Sequence, residues 1–336
     1  MFDPDFETLS ALGLTPALAS KAVAAVAAIT PTADCRLFRI TEVHRETVVV
    51  HDGRACRSAR PLPRLRRSLA DDECALVVGD WVLGVVDANR QTWIEARVAP
   101  SSLIVRRDGD DHRHPVVSNV DTALLVMGLD DDFNPRRMER YLALVHDSEV
   151  LPVIVLTKAD VVPGQQELDA RIDMLRRRIP AEVDVVAVNA TLPSAREALA
   201  HYLVRGRTLV ILGSSGAGKS TLTNTLLGST VQDTGAVREH DSRGKHTTTA
   251  RSLHLLPDGA CVIDTPGVRT LRPDAGEAAI AGTFADVAAH AIHCRFRDCA
   301  HRDEPGCAVR AALDEDRLRN YHKLLRESRR DTLTAL

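Results

Sequence analysis

One octapeptide limits the possible folds of this chain more than any other stretch. Gly213-Ser214-Ser215-Gly216-Ala217-Gly218-Lys219-Ser220 satisfies the spacing G-x-x-x-x-G-K-[ST] at every fixed position. The apolar run Thr208-Leu209-Val210-Ile211-Leu212 ahead of it reads as a buried strand, and the segment from Ser220 to Leu227 behind it reads as a helix closed by Gly228. In that setting the glycines let backbone N–H groups curl around phosphate oxygens, and the helix start adds its positive end. Lys219 is expected to reach the β and γ oxygens, the Ser220 hydroxyl to take Mg²⁺, and Thr221 to complete the set of nucleotide contacts.

The 336 residues suffice for two or three domains, each with its own core. A net charge of −3 confines any nucleic-acid contact to local patches. Asp3, Asp5 and Glu7 stand where a leader peptide would be basic, and no apolar run is long enough to cross a bilayer, so a cytoplasmic protein without membrane contact is expected. Cysteine occurs 7 times, an odd number that argues against a disulfide framework. Arginine greatly outnumbers lysine, which appears only at Lys21, Lys158, Lys219, Lys245 and Lys323. Keeping lysine in the phosphate loop and in two further loops suggests that a compact ammonium is wanted there.

The order of patterns predicts a multi-domain chain. Residues 1–34 read as a helical extension, with Thr15 as N-cap, Pro16 at the first helical position and an Ala/Val-rich run to Ile29. Residues 35–104 carry five short alternating segments, at Leu37–Ile40, Thr47–His51, Ala75–Val78, Trp81–Val86 and Thr92–Ala96, which predict an OB-like β-barrel. Arg54, Arg57, Arg60, Arg64, Arg66 and Arg67, broken by Pro61 and Pro63, read as a charged loop between the second and third of these, able to follow a phosphate backbone. Aromatic residues are only 3% of the chain, so arginine–phosphate contact is favoured over base stacking. Over residues 115–272 strands alternate with helices, the pattern of a parallel sheet wrapped by helices. Residues 273–336 are helical again around a cysteine cluster.

Two further loops fall at strand ends. Thr157-Lys158-Ala159-Asp160 matches [NT]-K-x-D, in which the aspartate pairs with guanine N1–H and its exocyclic amine, a contact adenine cannot return. Asp264-Thr265-Pro266-Gly267 matches D-x-x-G, whose aspartate holds Mg²⁺ and whose glycine amide senses the γ-phosphate. Between the phosphate loop and this motif, Gly244-Lys245-His246-Thr247-Thr248-Thr249 reads as a switch, with Thr248 the expected Mg²⁺ ligand and Thr247 the alternative. Val268 stands where many GTPases have a water-orienting glutamine, which leaves His246 as the candidate for that role. Val188-Asn189-Ala190 is a poor match to a base-backing S-A-K loop. The guanine loop precedes the phosphate loop, the reverse of the usual GTPase order. Joining the usual ends and opening the chain after the second switch keeps the sheet, which is a circular permutation.

Cys294-x4-Cys299-x-His301-x5-Cys307 offers three thiolates and an imidazole, a closed tetrahedral shell for one structural Zn²⁺, with His293 a lesser rival. Arg317, Arg319, Lys323, Arg326, Arg329 and Arg330 follow on a last helix.

The permuted order, the barrel before it and the cysteine cluster after it resemble the RsgA (YjeQ) family of circularly permuted bacterial GTPases that act in small ribosomal subunit assembly. Gly79-Asp80-Trp81-Val82, the phosphate loop, His246-Thr247-Thr248-Thr249, Asp264-Thr265-Pro266-Gly267-Val268-Arg269 and the C-x4-C-x-H-x5-C cluster carry the likeness, which spans about residues 35–330. The resemblance implies hydrolysis of GTP to GDP and phosphate with Mg²⁺, binding of the 30S subunit and its 16S rRNA in late maturation, and release on hydrolysis, by a monomer. Two rival readings are a P-loop ATPase or kinase acting on a small molecule, and a nucleotide-dependent RNA-binding switch that does not hydrolyse.

Overall fold

The computed structural model describes residues 5–27, 35–108, 112–228, 251–265 and 272–334. The chain opens with two helices, α1 (Phe6–Ser10) and α2 (Pro16–Ala27). Thr15 caps α2 by accepting the Leu18 N–H at 3.2 Å, and Leu18, Ala22 and Val26, four residues apart, form its buried stripe.

Five strands follow: β1 (Cys35–Val43), β2 (Val48–His51), β3 (Cys56–Pro61), β4 (Trp81–Val86) and β5 (Thr92–Arg97), with α3 (Pro63–Asp71) between β3 and β4. They pair in the order β1-β2-β3-β5-β4, and β4 pairs back onto β1, so the barrel closes. Phe38, Ile40, Val48, Val50, Ala59, Val82 and Ile94 fill its interior. Five strands, closure and a parallel β3–β5 pair give the expected OB-like barrel.

The arginine-rich stretch and the third strand differ from expectation. Cys56–Pro61 is a strand and Pro63–Asp71 a helix, while Ala75–Val78 is irregular. Only Ala59 and Pro61 of β3 face inward, so the strand buries little beyond small side chains while its arginines lie in solvent or half-buried. Period-2 burial was hidden because neither inward residue is a large hydrophobe.

A hairpin of β6 (Leu103–Arg107) and β7 (Arg113–Ser118) leads to the larger domain. That domain contains β8 (Thr122–Gly128), α4 (Pro135–His146), β9 (Leu151–Thr157), α5 (Gln165–Arg176), β10 (Asp184–Ala187), α6 (Ser194–Ala198), β11 (Thr208–Gly213), α7 (Lys219–Leu227), β12 (Ser252–Leu255) and β13 (Cys261–Asp264). Its strands lie in the order β10-β9-β8-β11-β13-β12, all parallel except β12. Alternate side chains feed two cores. Ala123, Leu125 and Met127 of β8 pack with Met138, Tyr141 and Leu142 of α4, whereas Leu124 and Val126 join Leu222 and Leu226 of α7. Coverage on both faces explains why β8 is buried throughout.

The tail comprises β14 (Arg272–Pro273), which pairs with β6, then α8 (Glu277–Thr283), α9 (Ala285–Ala291), α10 (Ala308–Ala312) and α11 (Glu315–Thr334). Its small core, including Ile280, Phe284, Val309 and Leu318, meets α4 through Ala143. Beneath this contact lies Glu139 of α4, fully buried, which accepts from Arg178 at 2.7 Å and from Arg317 of α11 at 2.9 Å. Arg317 also makes paired bonds to Asp286 at 2.6 and 2.7 Å and lies over the Phe284 ring.

Arg39 on β1 is the corresponding buried charge between the N-terminal helices, the barrel and the sheet. Its guanidinium donates to the Leu12 carbonyl, to Thr208 Oγ1 and to the Asn119 carbonyl, the last two at 2.9 Å, and sits against Trp81. Arg39→Met keeps most of the volume but leaves two buried carbonyls without this donor. It is expected to cost about 3 kcal/mol and to lower the thermal midpoint by several degrees; a midpoint equal to wild type would deny Arg39 this role.

Candidate nucleotide site and metal centre

In the larger domain the chain passes from β8 outward to β9 and β10, then returns to β11 beside β8 before going on to β13. The crossovers α4 and α5 cover one face and α7 the other, so β8 and β11 flank a topological switch point, where open parallel sheets bind ligands at their C-terminal edge. Three loops meet there: 129–134 after β8, 158–160 after β9 and 214–218 after β11.

The phosphate loop has the shape its spelling predicts. Gly216 and Gly218 have φ of 84° and 88°, in the left-handed region that favours glycine. Ser215 and Gly216 are exposed at the crest, Ala217 is buried, Gly213 ends the strand, and Ser220 and Thr221 are half-buried in the first turn of α7. Lys219 is 7% exposed and donates to the loop's own Ser214 carbonyl at 2.6 Å, bridging the cradle that a phosphate would fill. Burial lowers its pKa, with the Asp264 and Asp132 carboxylates acting in the opposite direction. Gly228 ends α7 at φ 68°, as expected of a C-terminal glycine.

The guanine-type loop lies against this cradle. Thr157 is fully buried, and its hydroxyl donates to the Ala217 carbonyl at 2.6 Å. The residue that stands in place of the commoner asparagine therefore ties the two loops together. Lys158 takes φ 58° and pairs with Asp130 at 2.5 Å. Burial opposes the Asp130 charge, but Lys158 and neighbouring N–H groups outweigh it and hold the carboxyl below its ordinary range. Ala159 and Asp160 form a short 3₁₀ turn, with Asp160 exposed. The Ala159 N–H donates to the Val188 carbonyl at 3.2 Å, and Thr225 Oγ1 donates to the Ala190 carbonyl at 2.6 Å. The 188–190 segment thus backs the guanine loop although its spelling matched poorly.

Asp264 ends β13, buried, level with Ile211 of β11. Thr265 secures that end by donating to the Ile211 carbonyl at 2.6 Å. His246, Thr247, Thr248 and Gly267 lie outside the described residues. Sequence reasoning missed Asp130 and Asp132, which face the guanine and phosphate loops; the Asp130-Asp131-Asp132 run reads like any polar loop.

Cys294, Cys299, His301 and Cys307 bring one ligand atom each within 4.8 Å of one another. The Sγ atoms of Cys294 and Cys307 are 3.9 Å apart, and His301 Nδ1 is 3.7 and 3.6 Å from them. A tetrahedral ion with bonds of about 2.3 Å to sulfur needs edges of about 3.8 Å, so this donor set fits one divalent cation. His293 is exposed and outside the cluster. N–H groups of Val309 and Ala308 lower the Cys294 thiol pKa, and the Arg310 N–H donates to Cys307 Sγ at 3.4 Å. Glu304 fixes the intervening loop by accepting the Ala300 and Arg302 N–H groups at 2.9 and 2.7 Å.

A phosphate loop at the switch point, joined to a T-K-x-D loop that comes earlier in the chain, defines a circularly permuted P-loop GTPase. Two solved structures share this fold: YjeQ from Thermotoga maritima, with TM-score 0.60 and 24% identity over 88% of this chain and 98% of its own, and YloQ, described as a circularly permuted GTPase, with TM-score 0.59 and 21% identity over 90% and 97%. The RsgA GTPase family model matches residues 98–273. Two relatives are named small ribosomal subunit biogenesis GTPase RsgA. That of Xanthomonas axonopodis pv. citri is 46% identical over 96% of this chain and 89% of its own length; that of Xanthomonas campestris pv. campestris is 48% identical over 85% and 79%. The chain belongs to the RsgA GTPase family.

Thr157→Val removes the one hydroxyl that serves the Ala217 carbonyl while keeping side-chain volume. GDP binding, read by displacement of a fluorescent analogue, is expected to weaken about tenfold; unchanged affinity would reduce Thr157 to a packing residue.

Proposed function

We propose that the chain binds guanosine nucleotides across residues 157–160 and 213–221, hydrolyses GTP to GDP and phosphate, and does so on the small ribosomal subunit during its late maturation. The observation that carries this reading is the Thr157 hydroxyl bond to Ala217, which holds a guanine-type loop against a phosphate cradle. Asp160, exposed at the same edge, is assigned to the guanine N1–H and amine. Lys219 leaves the Ser214 carbonyl for the β and γ oxygens, and the glycine-rich loop supplies N–H groups to the same phosphates. Ser220, Asp264 and Thr248 would hold Mg²⁺, which supplies neutralising charge to the phosphate oxygens. Gly267 is assigned to the γ-phosphate and His246 to orienting the attacking water, because Val268 cannot hydrogen-bond.

The three-thiol, one-imidazole cluster is assigned a single structural Zn²⁺, held by Cys294, Cys299, His301 and Cys307, with no ligand position left for chemistry. The division proposed is a helical extension over 1–34, a barrel over 35–104, a permuted GTPase domain over 115–272 and a zinc-stapled tail over 273–336. Contact with 16S rRNA is supported by a basic groove of about 650 Å³, lined by Arg136 and Arg140 of α4, Arg302 of the metal loop, and Arg319, Lys323 and Arg326 of α11. No described helix is long and apolar enough to cross a membrane. A cytoplasmic monomer released from the subunit on hydrolysis completes the proposal.

Phosphate release from GTP, followed with and without purified small subunits, tests nucleotide, chemistry and partner together. Slow intrinsic turnover is expected to rise at least about tenfold with the partner. ATP displacing bound GDP as well as GTP does would favour an ATPase or kinase, and no release on subunits would favour a non-hydrolysing switch. For the metal, one zinc per chain is expected in protein purified without chelator. Cys294→Ser and Cys307→Ser should each lose it and melt at lower temperature; full zinc content in both variants would refute the ligand assignment.

A further inference from the structure

The loop between β8 and α4 touches both nucleotide-binding loops, and nothing in the family's spelled motifs assigns it a role. Asp132 stands behind the phosphate loop. Its two carboxylate oxygens lie 2.7 and 2.8 Å from Ser214 Oγ, which donates to them, while the Gly128 N–H at 3.1 Å and the Arg137 guanidinium at 2.6 Å hold the carboxylate in place. Asp130 stands beside the guanine loop and takes the Lys158 ammonium. The two carboxylates are set relative to each other, since the Asp132 N–H donates to Asp130 Oδ1 at 3.3 Å. Gly128 makes room for the arrangement: a Cβ there would lie 2.3 Å from Asp130 Oδ1.

We propose that residues 128–134 form a brace with two arms, in which Asp132 acts as a positioning residue for the phosphate loop through Ser214 and Asp130 as a positioning residue for the guanine loop through Lys158. Ser214 occupies the middle of the first arm. Its carbonyl accepts from Lys219, while its hydroxyl is held by Asp132. When Lys219 turns toward an incoming phosphate, the carbonyl loses its partner, but the hydroxyl stays anchored. The loop then keeps the curvature that points its N–H groups inward. Such a charge-assisted bond, from a serine only 8% exposed, is of the stronger kind. The Lys158–Asp130 pair is about one-third exposed, so its effect is smaller. Neither carboxylate is assigned contact with the nucleotide.

The inference rests on the nucleotide site proposed above, and the test separates the two. Displacement of a fluorescent GDP analogue by GDP, GMP and ADP is measured for the full chain and for Ser214→Ala, Asp132→Ala, their double variant and Asp130→Ala. A wild-type chain that fails to bind GDP would refute the site itself. If it binds, Ser214→Ala and Asp132→Ala should each weaken GDP about tenfold and GMP much less. The double variant should be no worse than Asp132→Ala alone, because that variant has already lost the Ser214 bond. Asp130→Ala should instead lower the GDP-to-ADP preference by about threefold and leave the GDP-to-GMP ratio unchanged. Ser214→Ala deletes one oxygen, so it reports on the first arm even if Asp132→Ala fails to fold. Additive losses in the double variant, equal weakening of GDP and GMP, or wild-type affinities throughout would overturn the brace.

Discussion

The parallel direction of β8, β9, β11 and β13 is the constraint from which the site follows. Parallel strands in neighbouring positions send their following loops out of one edge, so loops distant in sequence become neighbours without any contact designed to draw them together. Registers show how closely: Gly128 lies opposite Thr157, and Gly213 opposite Val126, within one or two residues of the loops concerned. Cutting the chain at a different point leaves these neighbours unchanged. Permutation therefore changes which parts are joined covalently and not which side chains face the ligand. Here it places the barrel and the β6–β7 hairpin before β8, and the helical tail with the cysteine cluster after β13.

The features legible in the sequence are those in which backbone geometry demands particular residue types. Gly216, Gly218 and Gly228 must reach positive φ, Lys219 must carry an ammonium into the cradle, and three thiols and an imidazole must converge on one point, so each left a spelled pattern. Asp130 and Asp132 act through a hydrogen bond or an ion pair to a residue far along the chain, and an acidic loop is compatible with many structures. Thr157 shows the same limit: the [NT]-K-x-D spelling admits either residue there, and only the fold reveals that the hydroxyl reaches Ala217. The third barrel strand was hidden for a different reason, because its inward positions are alanine and proline. The β6–β7 hairpin offered only the short apolar runs Leu103–Val105 and Val116–Val117, set among Arg106, Arg107, Arg113, His114 and Pro115.

Buried charge marks the joints between the parts. Arg39 sits where the N-terminal helices, barrel and sheet meet. Asp80, fully buried, joins Arg97 of the barrel at 2.8 Å to Ser118 of the hairpin at 2.6 Å; burial raises its pKa, and those two partners oppose the shift. Glu139 does the same between α4 and the tail, with Arg178 and Arg317. An apolar contact of equal volume would give comparable net stability, because desolvating ions offsets much of their attraction. Moving Arg317 away from Glu139 and Asp286 would leave its buried guanidinium without those carboxylates, a penalty of about 3–5 kcal/mol, while Glu139 would keep Arg178. The tail is thereby held in one pose on α4, the helix that begins beside Asp132 and supplies one wall of the basic groove. The α11 wall of the groove is set against α4 through the Glu139 cluster, and the phosphate loop is tied to the loop before α4 through Asp132.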